Sequence, residues 1–166
     1  QIERSMKEQI QVQKVKSSHR KIYTDIVINA PAKQVWDVLT DTKSYKKWAS
    51  FLVDIKGELI NGREITAKFQ LDPKKEKLNT IKHTIQVRDG EEFYWAEKGP
   101  MGICDNHHFK VEAIDDQTSR FIQNDELTKG ATWLLGGYLS KVYVKGYQAF
   151  NRQLKKEAEF RFQLNK

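Results

Sequence analysis

The 166-residue chain reads as an α+β protein, with a curved antiparallel sheet of about six to seven strands and one long C-terminal helix. Three observations carry that reading. Strand-like segments of period two follow one another through the middle of the chain, separated by turn signals rather than by helices. Two short helical segments come after the first clear strand. Beyond Gly130, apolar residues recur at helical spacing almost to the C terminus.

Residues 1–19 have no clean period and read as an N-terminal arm or frayed helix, which leaves a single domain over residues 20–162. "KIYTDIVIN" alternates Ile22, Thr24, Ile26 and Ile28 against Tyr23, Asp25, Val27 and Asn29, as a strand does. In "APAKQVWDVLTD", Pro31 suits a first helical turn, and Val35, Trp36, Val38 and Leu39 form an apolar stripe. "TKSYKKWASF" reads as a second short helix ending near Trp48. Leu52 to Ile60 then leads into Asn61-Gly62, a hairpin signal because both residues tolerate the left-handed backbone of a tight turn.

"EITAKFQL" and "TIKHTIQV" alternate as strands on either side of the polar loop "DPKKEKLN". Asp89-Gly90 turns the chain into the strand "EEFYWAEK", which "GPMG" ends. "NHHFKVEAI" and "SRFIQNDELTK" form a last hairpin around "DDQT". In the terminal helix Leu135, Leu139, Tyr143, Tyr147, Phe150, Leu154 and Ala158 make the apolar stripe, with Lys and Arg between them.

Composition bounds the function. Hydrophobic content of 39% and charged content of 31% belong to a globular chain rather than a disordered one. One cysteine excludes an internal disulfide framework, so nothing depends on an oxidising compartment, and a cytoplasmic location is expected. The chain opens on Gln1 rather than Met and so reads as a processed or trimmed product. The net charge of +7 is concentrated at the ends: residues 1–21 carry six Lys/Arg against two acids, and residues 141–166 seven against two. The middle carries sixteen basic and eighteen acidic residues. Without a compact basic patch or a recognition motif, no nucleic-acid partner is expected. A membrane-surface or protein-interaction role through the basic terminal helix, at Lys155, Lys156 and Arg161, is a further alternative.

Cys104, His107 and His108 lie within five positions and raise the question of a metal site. Adjacent residues of a strand face opposite ways, so His107 and His108 do not reach one ion. His107 shares parity with Phe109, Val111 and Ala113 and points inward, and His108 points outward. Zinc needs further ligands at workable spacing, and no second cluster exists. No metal and no cofactor are expected. The same parity places His83, Gln123 and Asp125 on apolar faces, although a bulge before Gly130 would turn Glu126 inward in place of Asp125.

"INAPAKQVWDVLTDTKSYKKW", followed by "HHFKVEAI", "SRFIQNDELTKG" and the long terminal helix, resembles the START-like, Bet v 1-like superfamily, and within it the polyketide cyclase/dehydrase-like (SRPBCC) branch. The resemblance covers roughly residues 20–160. It departs at "LTKG", where that branch often carries a large apolar residue before the glycine. It implies a helix-grip fold, in which the sheet wraps the terminal helix around a cavity. Such an interior would be lined by Phe69, Trp95, Phe109 and Phe121 on strands, and by Trp133, Tyr143, Tyr147 and Phe150 on the helix. His83, His107, Gln123 and Asp125 would supply its polar groups.

Two classes of function follow. A carrier or sensor of a small hydrophobic or lipid-like ligand is favoured, because no nucleophile–base–acid arrangement is evident in the spacing. The alternative is a cyclase or dehydratase in which His107 and Asp125 act as base and orienter, with His83 as a further polar group.

Overall fold

A computed structural model describes residues 7–166. Residues 1–6 of the expected arm lie outside the described part. The rest of that stretch is different from the expectation: Glu8–Lys16 is a strand, β1, pairing antiparallel with β2, His19–Ile28. Nearly all of β1 is exposed on both faces, so its sequence carries no burial period beyond Ile10 and Val12. Backbone pairing with β2 holds it, together with a charge-assisted contact from Arg152 and a 3.1 Å hydrogen bond from Gln148 to the Glu8 carboxylate.

After β2 come the helix α1, Ala32–Thr40, a short 3₁₀ turn at Thr42–Ser44, and the single-turn helix α2, Tyr45–Trp48. Pro31 stands just ahead of α1, where its missing N–H costs nothing. Val35, Trp36, Val38 and Leu39 face the core as their spacing requires. Seven strands follow: β3 Leu52–Lys56, β4 Glu64–Phe69, β5 Asn79–Thr84, β6 Gln86–Arg88, β7 Glu92–Lys98, β8 Cys104–Ala113 and β9 Ser119–Thr128. The helix α3 runs from Thr132 to Leu164.

The main sheet has six antiparallel strands in the order β1-β2-β9-β8-β7-β6, and β3-β4-β5 form a second sheet. The segment read as one strand at 80–87 is split between the two sheets at Ile85. Asn61-Gly62 is part of a longer β3–β4 connection rather than a two-residue turn. Its backbone is tied to that split: the Gly62 N–H donates to the Ile85 carbonyl, and Asn61 Oδ1 accepts from the Val87 N–H at 2.9 Å. The pairing of β8 with β9 is regular from Cys104 to Ala113. Without a bulge, Asp125 faces inward and Glu126 faces out to His19.

Helix α3 lies across the inner face of the main sheet and packs most extensively on β2. Tyr147, Phe150, Leu154 and Ala158 are buried against Ile22, Ile26, Phe109 and Phe121 from the strands, so the apolar stripe of the helix and the apolar face of the sheet make one core. The start of α3 touches the β7–β8 connection, where the Ala131 N–H donates to the Met101 carbonyl and Gly130 lies against Gly102. No helix among the described residues is long and apolar enough to cross a membrane.

Candidate functional site

Pleat geometry places Trp95, His107 and Asp125 side by side across β7, β8 and β9, because they are direct cross-strand partners on the inward face. His107 and Asp125 are each 1% exposed and Trp95 is fully buried. The row beside them carries Thr24, Gln123, Phe109 and Phe93 from β2, β9, β8 and β7. Sequence parity thus brings the expected polar residues into one place, and α3 closes over them with Tyr147 and Asn151.

A hydrogen-bond chain fixes the polar groups, and its direction follows from a backbone carbonyl. Thr24 Oγ1 donates to the carbonyl of Gln123 at 2.7 Å, so it has only lone pairs left to offer. Asn151 therefore presents its NH₂ to Thr24 at 2.8 Å and its Oδ1 to the NH₂ of Gln123 at 2.9 Å. That leaves Gln123 Oε1 facing His107 Nε2 at 2.8 Å, and the imidazole must be the donor. Burial pushes His107 down to about 4 despite the opposing pull of Asp105, so the ring is neutral. Its Nε2 carries the proton and Nδ1 carries the lone pair.

The acids are arranged differently. Asp125 Oδ2 accepts from the Tyr147 hydroxyl at 2.6 Å, and Asp105 Oδ2 accepts from the Trp95 indole at 3.0 Å. Each carboxylate keeps a buried Oδ1 with no hydrogen-bond partner among the described residues. Burial raises Asp125 well above the usual carboxylate range, and the neighbouring Asp105 charge and carboxyl raise it further. Tyr147 is raised by burial and by the same two acids.

Asp105, His107 and Asp125 offer one ligand atom each within 4.8 Å of one another. No hydrogen bond joins His107 to Asp125 among the described residues, so the expected base–orienter pair is a pair of neighbours with separate partners.

The other expected residues divide by distance. His83 is 2% exposed, stacks on Trp95 at 4.6 Å, and leaves Nε2 without a partner among the described residues. Burial keeps it below its ordinary range against the pull of Asp105 and Glu97. Phe69 meets Trp95 at 6.4 Å, while Phe109, Phe121 and Phe150 form a ring cluster with centroids 6.2–6.5 Å apart. Tyr143 is half-buried beside Tyr147.

Trp133 is a correction. It is 64% exposed, with Leu134 and Tyr138 exposed beside it, because the buried side of α3 at this end runs through Thr132, Gly136 and Ser140. Apolar residues occupy both sides of that first stretch of helix, so the presence of an aromatic residue there did not mark the inward face.

Asp105, Thr24 and Asn151 were missed by the sequence reading. Each had a signal: Asp105 shares parity with His107, Thr24 lies between Ile22 and Ile26, and Asn151 is four residues past Tyr147 on the buried face. Open clefts at the surface lie elsewhere. One of about 800 Å³ beside β3 and β4 is lined by Lys43, Lys46, Lys56 and Lys68, and includes none of these residues.

The fold recurs in solved structures of low sequence identity. The Zhui aromatase/cyclase from Streptomyces sp. R1128 matches with a TM-score of 0.67 and 17% identity, over 86% of this chain and 95% of that one. A START superfamily protein from Mycobacterium smegmatis matches at 0.65 and 10%, over 88% and 99%. Human STARD10 matches at 0.61 and 16%, over 92% and 71%. No curated protein sequence matches. The sequence model for polyketide cyclase / dehydrase and lipid transport proteins matches residues 19–159, nearly the whole span from β2 through α3. A helix-grip architecture and a match of that extent lead to one conclusion: the chain belongs to the polyketide cyclase / dehydrase and lipid transport family.

Proposed function

We propose that the protein binds a small hydrophobic ligand between its main sheet and α3, as a carrier or sensor. The observation that carries this reading is a set of buried polar atoms with no partner among the described residues, inside an aromatic interior: His83 Nε2, Asp105 Oδ1 and Asp125 Oδ1. Leaving a buried polar group unpaired costs about 1–3 kcal/mol, and a ligand hydroxyl or N–H donating to these acceptors removes that penalty. The surrounding rings supply apolar area. Because His83, His107 and Asp125 are at most 2% exposed, entry requires α3 to shift. Gly136 and Gly137 weaken the helix near its start, each by roughly 1 kcal/mol relative to alanine. That is where such a shift costs least.

The test is a fluorescence titration with an anthroyloxy-labelled stearic acid, with native mass spectrometry of gently purified protein in parallel. Saturable binding that weakens in Asp125→Asn and His83→Leu is expected. Absence of binding to this fatty acid, and to a planar aromatic probe such as an anilinonaphthalene sulfonate, overturns the reading.

A cyclase or dehydratase is the second reading. It is favoured by the neutral His107, a base with a lone pair, close to Asp125, whose carboxyl is raised well above the usual range by burial. Turnover of a poly-β-ketone substrate that is lost in His107→Gln, with the fold retained, would replace the carrier by the enzyme.

A further inference from the structure

We propose that Asp105, His107 and Asp125 form a binding site for one divalent first-row transition-metal ion. The proposal shares Asp105 Oδ1 and Asp125 Oδ1 with the ligand reading but does not rest on it, because an ion needs only these three side chains and no hydrophobic ligand.

The first argument is charge. Neither Asp105 nor Asp125 takes part in an ion pair among the described residues. Asp125 is 1% exposed, and two neighbouring carboxylates without a counter-charge need a proton or a cation between them. Their unpartnered Oδ1 atoms are where either would sit.

The second argument is orientation. Metal ligands are held by outer hydrogen bonds that leave one donor atom free. Here the Tyr147 hydroxyl occupies Asp125 Oδ2, the Trp95 indole occupies Asp105 Oδ2, and Gln123 occupies His107 Nε2. Each prospective ligand thus has one atom tied back and one electron pair to give. The direction of the Thr24–Asn151–Gln123 chain makes that pair, on the imidazole, the one at Nδ1.

The third argument is spacing and chemistry. One donor atom from each of the three residues lies within 4.8 Å of the other two, and tetrahedral donors at metal–ligand bonds of roughly 2.1 Å stand roughly 3.4 Å apart. Closing on an ion therefore takes side-chain adjustment of at most about 1.4 Å across the widest pair. One imidazole and two carboxylates suit Zn²⁺, Mn²⁺, Fe²⁺ or Co²⁺.

Chelator-treated protein carrying Cys104→Ser, which removes the thiol, is titrated with Zn²⁺, Mn²⁺ and Co²⁺ by calorimetry. Co²⁺ additionally reports its coordination in the visible spectrum. One ion per chain is expected, with a raised Tm on binding. Asp125→Asn should weaken binding by at least ~10-fold, and Tyr147→Phe, which keeps all three ligands, by up to ~10-fold. If Asp125→Asn does not fold, Asp105→Asn replaces it at a half-buried position. Lack of uptake at millimolar ion, or an affinity unchanged in both Asp variants, overturns the proposal and leaves the two carboxyls sharing a proton. Metal uptake is read without any hydrophobic probe, so its failure is distinguishable from failure of ligand binding.

Discussion

Asn151 of α3 donates a 2.8 Å hydrogen bond to Thr24 of β2, joining helix and sheet deep in the core. The bond is buried at both ends, and it orders every polar group that follows it toward His107. Seating of the helix and orientation of the site are therefore one problem.

The first prediction tests that link. Asn151→Ala should cost about 1–3 kcal/mol, because Thr24 and Gln123 lose a partner they cannot replace with water. In a double-mutant cycle with Thr24→Val, urea denaturation should give a coupling of at least about 0.5 kcal/mol. Strict additivity would mean that the two side chains do not interact in solution.

The hydrogen-bond direction is itself measurable. Nitrogen-15 NMR of metal-free protein should find His107 neutral and protonated on Nε2. In Gln123→Leu that fixed tautomer should give way to a mixture.

Two helix glycines should respond oppositely to alanine. A Cβ at Gly146 would lie 2.3–2.5 Å from the Phe51 ring, whereas one at Gly137 meets nothing closer than 3.9 Å, at the tip of Arg20. Gly146→Ala should destabilise by about 1–3 kcal/mol through overpacking, and Gly137→Ala should stabilise by up to about 1 kcal/mol. Thermal unfolding of the two variants checks both signs.

Acid should act through His83. Its folded form resists protonation below the ordinary value of 6.5, so as pH falls through 6.5 the unfolded chain gains a proton that the folded chain refuses. Stability is therefore lost on acidification, by at most about 1.4 kcal/mol per pH unit for this one group. Denaturant midpoints taken above and well below pH 6.5 should fall less in His83→Gln than in the wild type.

Trp133→Ser should change stability by no more than about 0.5 kcal/mol, as expected for an exposed side chain, and should leave binding of the labelled fatty acid intact. A large loss of binding would return Trp133 to the interior.

Period-two alternation was enough to read β2, β4, β7, β8 and β9, because each has one face in the core. It failed for β1, which buries neither face, and for the split at Ile85, which a continuous alternation of side chains conceals. In the site, parity found His83, His107, Gln123 and Asp125 but not how they pair. Hydrogen-bond partners from β2 and α3 are set by tertiary packing, and Thr24 and Asn151 lie 127 residues apart in the chain. Asp105 was overlooked because its neighbours Cys104 and Asn106 offered no apolar frame against which to read its direction.

Gly130 adopts a left-handed backbone with φ of 51°, and a Cβ there would stand 2.2 Å from the backbone carbon of Gly102. Only a hydrogen atom fits between the β7–β8 connection and the entry to α3. This position is therefore a marker for relatives known from sequence alone. A chain of the same family with a larger residue aligned here must have separated these two segments, and with them the end of the interior where the terminal helix begins.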